Sequence, residues 1–125
     1  MPEIILIVED HDALRISLQA WLECKFPGLS VTVASSGEEA VGITRSISPN
    51  LVVMDYKLPG MNGFEATRQI KAILPSAQIV MFSVREGDAY RASAISAGAC
   101  NYVSKRAYQT ELIPILTALL NKTQN

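Results

Sequence analysis

Two apolar runs in this chain stop on carboxylates. Ile4-Ile5-Leu6-Ile7-Val8 is followed by Glu9-Asp10, and Leu51-Val52-Val53-Met54 by Asp55. Two further runs stop at or near other polar groups: Val80-Met81-Phe82 on Ser83, and Asn101-Tyr102-Val103 near Lys105. A carboxylate at the end of a buried run is costly unless something pairs with it. If these ends meet, Glu9, Asp10 and Asp55 repel one another and call for a cation. An all-oxygen ligand set suits Mg²⁺, which accepts one or two carboxylates and keeps several waters. Open coordination positions then admit a phosphoryl group. A lysine, a hydroxyl and backbone N–H groups can hold its remaining oxygens. A carboxylate can also serve as the nucleophile and form an acyl phosphate.

Taken singly, each residue has a plain structural explanation. Glu9-Asp10 could cap a helix, Asp55 could open the turn at Leu58-Pro59-Gly60, Ser83 could be a turn hydroxyl, and Lys105 a solvated charge. The specific signal is their joint placement, and that depends on the elements carrying them.

Short β-rich runs at residues 4–8, 31–34, 51–54, 78–82 and 101–103 alternate with helical patterns. Runs that are apolar without alternation suit strands buried on both faces. Leu14, Leu18, Trp21 and Leu22 recur at helical spacing, with Asp12 expected as N-cap and Pro27-Gly28 as the stop. Ser36-Gly37-Glu38-Glu39 has capping-box spacing, and its helix must end before Pro49. A third helix is expected from Gly63 to Leu74, and a fourth from Asp88 to a left-handed cap at Gly98. A fifth holds Leu112, Leu116 and Leu119, with Pro114 in its first turn if Thr110 or Glu111 caps it. The polar tail, residues 121–125, is expected to fray.

Five βα units in a row imply an α/β, doubly wound, five-stranded parallel sheet with helices on both faces. Right-handed crossovers favour the flavodoxin-like strand order 2-1-3-4-5. Ligands of such sheets sit beyond the carboxyl ends of the strands, at the switch between strands 1 and 3. Strands 1, 3, 4 and 5 would each deliver a polar or charged group to that one edge.

The bounds agree with this reading. A chain of 125 residues fits one domain, and 49% hydrophobic with 18% charged residues makes it globular. A net charge of −1 argues against attraction of the whole domain to DNA. No apolar run approaches the roughly 20 residues of a membrane span. No basic region precedes the first apolar stretch, as a signal peptide would need. Cys24 and Cys100 are far apart and in no metal-type spacing, and are expected to be reduced, buried thiols of a cytosolic protein.

With these residues in place, the chain resembles the receiver (response regulator) domain of two-component signalling over essentially all 125 residues. The segments ILIVEDHDALR, SSGEEAV, PNLVVMDYKLPGMNGFEATRQIK, IVMFSV and AGACNYVSK carry the likeness in the family's order. Their spelling is similar to the nitrate-regulator or LuxR-type group, whose receivers precede a helix-turn-helix DNA-binding domain. The resemblance implies roles by position. Asp55 would be the phospho-acceptor and Asp10 the direct Mg²⁺ ligand. Glu9 would act on the metal through water, and the backbone carbonyl of Lys57 would complete the protein ligands. Ser83 would be the switch hydroxyl, Tyr102 the switch aromatic, and Lys105 the phosphate-binding lysine. Two departures stand out: Arg106 follows Lys105 where many receivers have proline with a cis bond, and Glu9 replaces a commoner Asp.

The resemblance further implies a phospho-switch in the cytoplasm. Its partner is a cognate histidine kinase, and it has the capacity to form a homodimer. The domain itself contacts neither nucleic acid nor membrane. It is no enzyme beyond its own aspartyl phosphorylation and dephosphorylation. The surface of helix 4, strand 5 and helix 5 would change to control an output, transcription in the resembled group. Residues 1–125 are read as one receiver domain, of the kind that can be excised from a longer regulator with a C-terminal DNA-binding domain.

Two other readings compete with this one. A dehalogenase-like phosphatase needs an acidic residue two after its nucleophile, where this chain has Lys57, and a cap insertion that the length excludes. A receiver-like interaction module that works unphosphorylated would keep the fold without needing all the acidic, hydroxyl and lysine groups present here. His11 reads as a surface or capping residue, Gly60-Met61-Asn62-Gly63 as a turn rather than a phosphate loop, and Trp21 as a packing residue. Leu112, Ile113, Ile115, Leu116, Leu119 and Leu120 exceed one helical stripe, which leaves some for a dimer surface.

Overall fold

The computed structural model describes residues 3–123. Strands and helices alternate along the chain: β1 (Ile4–Val8), α1 (Asp12–Lys25), β2 (Ser30–Ala34), α2 (Gly37–Ile47), β3 (Leu51–Asp55), α3 (Gly63–Ile73), β4 (Gln78–Ser83), α4 (Asp88–Ala97), β5 (Asn101–Ser104) and α5 (Tyr108–Thr123). The sheet is parallel throughout, in the order β2-β1-β3-β4-β5. The doubly wound, flavodoxin-like architecture expected from the alternation is the one observed.

Side-chain alternation splits the core into two layers. Leu6, Val8, Val52, Met54, Ile79, Met81 and Tyr102 pack with α2, α3 and α4. Ile5, Ile7, Leu51, Val53, Val80, Phe82 and Val103 pack with Leu18 and Leu22 of α1 and with Leu112 and Leu116 of α5. All five residues of β3 are buried. Burying its four apolar side chains stabilises the fold by about 1.5–3 kcal/mol each. That margin lets the strand carry one carboxylate, Asp55, into a covered position.

Register then aligns the site. Val8 pairs with Met54, so Glu9 falls beside Asp55. Asp55 pairs with Phe82, which puts Ser83 one step further along the edge. Ser83 pairs with Ser104, and the Lys105 amide donates to the Ser83 carbonyl at 2.9 Å.

Several local expectations are corrected. His11, not Asp12, is the N-cap of α1: His11 Nδ1 accepts the Leu14 amide at 3.3 Å, and Asp12 is the first helical residue. There Asp12 pairs with Arg15 at 2.7 Å. Ser36 caps α2 as expected, but Glu39 closes the box on the amide of Ser35, at 2.6 Å, rather than on that of Ser36. Pro114 is not in the first turn of α5. The Thr110 and Glu111 amides already donate to the Ala107 carbonyl, so the helix begins earlier and Pro114 falls in its second turn. It is tolerated there because it faces solvent, where water can take the carbonyl it leaves unpaired. Both cysteines are free, as expected, but they are exposed rather than buried. Cys24 and Cys100 flank apolar stripes without belonging to them. The helix continues through Thr123, so residues 121–123 are ordered in α5, while 124–125 lie outside the described residues.

Candidate phosphoryl and metal site

The carboxyl edge of the sheet opens into a cleft of about 950 Å³, lined among others by Glu9, Asp10, Asp55, Lys57, Ser83 and Lys105. Six of the seven site residues expected from the sequence therefore line one cavity. The seventh, Tyr102, lies behind it on β5.

Glu9 and Asp55 are almost covered, at 1% and 4% exposure, whereas Asp10 faces solvent. Single carboxylate oxygens of the three lie within 4.8 Å of one another. Mg²⁺ takes oxygens at about 2.0–2.1 Å, and a cluster of this span would suit such an ion. The donor set is all oxygen, and its members repel in the absence of a cation. The residues present fit Mg²⁺ on both counts.

Lys105 is the cation the fold itself supplies. Its Nζ is 2.7 Å from Glu9 Oε1 and 3.2 Å from Asp55 Oδ1. The ammonium also stands 5.1 Å from the centre of the Phe82 ring, a cation–π contact that the sequence did not suggest. Glu9 is tied down further by the His11 amide, which donates to its Oε2 at 3.1 Å. Burial, then repulsion from Glu9, push the Asp55 carboxyl up to about 7, against the opposing pull of Lys105.

The turn after β3 is set by backbone contact. The Gly63 amide donates to the Tyr56 carbonyl at 2.7 Å. A Cβ on Gly63 would collide with the Asp55 carbonyl oxygen and come within 2.8 Å of the Tyr56 Cα, so only glycine fits. The loop that carries Lys57 thus leaves the strand and returns at once to the start of α3.

Ser83 is buried, and its Oγ accepts the Arg85 amide at 3.0 Å. The Tyr102 hydroxyl donates to the Arg85 carbonyl at 2.6 Å. One residue of the β4–α4 loop is therefore gripped by Ser83 through its N–H and by Tyr102 through its C=O. The Arg91 guanidinium covers the Tyr102 ring at 5.4 Å. Beside them, Ser104 Oγ donates to Glu86 at 2.7 Å, a second tie between that loop and β5. The Lys105–Arg106 bond is trans, as are all described peptide bonds.

Comparison with known proteins agrees with this fold. The profile of the response regulator receiver domain matches residues 5–117. The chain is 40% identical over 103 residues to the transcriptional activator protein ExaE of Pseudomonas putida, covering 82% of this chain and 48% of that protein. It is 36% identical over 110 residues to the response regulator GacA of Pseudomonas viridiflava, covering 87% and 51%. The chain spans about half the length of these curated relatives. Among solved structures, a LuxR-family two-component response regulator from Aurantimonas sp. SI85-9A1 superposes with a TM-score of 0.89 at 35% identity, covering 98% of this chain and 87% of that one. A CheY-like receiver domain protein from Methanospirillum hungatei JF-1 reaches 0.90 at 26% identity, covering 99% and 98%. The chain belongs to the response regulator receiver domain family. Such domains are signalling modules rather than enzymes acting on other molecules. No described helix is long and apolar enough to cross a membrane.

Proposed function

We propose that this domain is a phosphorylation-dependent switch that takes a phosphoryl group onto Asp55 from the phosphohistidine of a cognate kinase. The observation that carries the reading is the Lys105 ammonium set between covered Glu9 and Asp55, with Asp10 at the open side of the same cleft. An Asp55 oxygen attacks phosphorus as the phosphorus–nitrogen bond of the donor breaks, leaving an acyl phosphate on this chain and, with a proton already on the ring's other nitrogen, a neutral imidazole on the kinase. When bound, Mg²⁺ would neutralise the clustered carboxylates and the transferring oxygens. Asp10 would hold it directly, Glu9 through water, Asp55 by its second oxygen and Lys57 by its carbonyl. Lys105 is placed to follow the new negative charge on Asp55.

The output step rests on Ser83 and Tyr102. A Ser83 hydroxyl that turns to the acyl phosphate releases the Arg85 amide, and Arg85 is also the residue Tyr102 holds. Tyr102, already packed in the core with its hydroxyl on that loop, then repositions as the loop moves, and the surface of α4, β5 and α5 changes. This is a shift between two pre-existing states driven by a local charge. The downstream process is transcription, carried out in the cytoplasm by a longer regulator of which residues 1–125 are the receiver. The domain has the capacity to pair with itself and leaves nucleic acid to the other part.

Incubation with a small phosphodonor and Mg²⁺, followed by intact mass, tests the reading. One phosphoryl group is expected on the parent protein and none on Asp55→Asn. Undiminished labelling of the variant would reject Asp55 as the acceptor. No labelling of the parent would favour an interaction module that works unphosphorylated.

A further inference from the structure

The loop after β3 is held at two places, only one of which belongs to its own strand and helix. Its neck is the Gly63–Tyr56 hydrogen bond already described. Its far side is held from α2: Glu38 Oε1 accepts the Met61 amide at 3.1 Å, across 23 positions of sequence. Two glycines allow this approach. Gly60 adopts φ +73°, and a Cβ there would meet Glu38 Oε1 at 3.0 Å. A Cβ on Gly37 would stand 3.3 Å from Met61 Cβ, the Met61 carbonyl oxygen and Ala66 Cβ. The first turn of α2 is therefore seated on the loop with almost no slack.

Glu38 is exposed, and a carboxylate there would ordinarily be a solvated first-turn residue favoured by the helix dipole. Here it spends one oxygen on a backbone amide of another element. The loop it grips runs from Lys57 to Asn62, between the acidic cleft and the cap of α3. We infer that Glu38 is a positioning residue for the metal site: it fixes the loop so that the Lys57 carbonyl faces the cleft. The inference rests on the reading that this carbonyl is a Mg²⁺ ligand. A carbonyl on an unpinned loop must lose conformational freedom each time the cation binds, which weakens affinity. With Met61 held by Glu38, that ordering does not have to be made when the cation binds.

The test uses Mn²⁺ as a paramagnetic stand-in, with its dissociation constant read by electron paramagnetic resonance. Amide exchange across residues 57–63 is read without metal. Glu38→Ala should bind Mn²⁺ about fivefold more weakly, the loss of about one hydrogen bond. It should also speed exchange at Met61, while the Asp55 carboxyl titration stays where it was. Glu38→Gln keeps an oxygen acceptor at the same reach and should restore both values. Parent-like Mn²⁺ affinity in Glu38→Ala, beside a parent that binds, would overturn the role of Glu38 alone. Failure of the parent itself to bind Mn²⁺ would overturn both this inference and the metal site beneath it.

Discussion

Lys105 Nζ lies 0.5 Å nearer to Glu9 than to Asp55, at 2.7 Å against 3.2 Å. The ammonium is thus committed first to Glu9 and only second to Asp55, the proposed phospho-acceptor. Glu9 is left well compensated, with the His11 amide on its other oxygen. Asp55 has the weaker share of the one ammonium among these residues, so Lys105 offsets only part of the rise in proton affinity that burial, and then repulsion from Glu9, impose on it.

The first prediction follows from that imbalance. In metal-free protein the Asp55 carboxyl should titrate at about 7, observed by carbon-detected NMR of the side chain. Because Lys105 opposes the shift, Lys105→Met should move it higher still. The sign for stability is set by the same group. The folded state holds the proton more tightly than the unfolded chain, where the ordinary value is 3.8. The contribution of Asp55 is therefore fully present below about 4 and is lost as pH rises through about 7. A midpoint in the ordinary carboxylate range would remove the argument.

Cation binding should reverse that loss. Mg²⁺ at a hundredfold excess over its dissociation constant should stabilise the protein by about 2.7 kcal/mol near neutral pH. Asp10→Asn should raise metal-free stability by relieving repulsion and abolish the Mg²⁺ response. Thermal melts with and without Mg²⁺ decide it. A melting temperature indifferent to Mg²⁺ in the parent would mean that the acidic cluster is not a metal site.

Gly63→Ala should be among the most damaging small substitutions. The added methyl meets backbone atoms of Asp55 and Tyr56, which cannot turn aside as a side chain would. A cost of about 1–3 kcal/mol is expected from such overpacking, read as a lower urea midpoint with an unchanged slope. A midpoint equal to that of the parent would show that the β3–α3 turn can open.

Coupling to the output surface should depend on the shared grip on Arg85. With beryllofluoride as phosphate mimic, amide exchange should change across residues 84–110 in the parent. Ser83→Ala should still accept a phosphoryl group but transmit less of that change to Tyr102. Exchange differences confined to the loops around Asp55 would sink the coupling.

Much of this was legible in the sequence because burial in a parallel sheet is written along one dimension. Runs such as Ile4–Val8 and Leu51–Met54 have no polar face, so they had to be central, and turn residues marked where each stopped. Once the strands were placed, the right-handed crossover rule left little choice of order, and Glu9, Asp10, Asp55, Ser83 and Lys105 had to share an edge. What only the tertiary structure decided are the contacts made to backbone. Tyr102 to the Arg85 carbonyl and Glu38 to the Met61 amide have no signature in residue type, because every non-proline residue offers the same N–H and C=O. The cap of α1 went to His11 rather than Asp12 for a related reason: the direction in which the chain leaves β1 determines which side chain can reach the Leu14 amide. The exposure of Cys24 and Cys100 was likewise settled by where the helices and strand ends finally sit, since a small apolar residue beside a stripe is covered only if a neighbour reaches it.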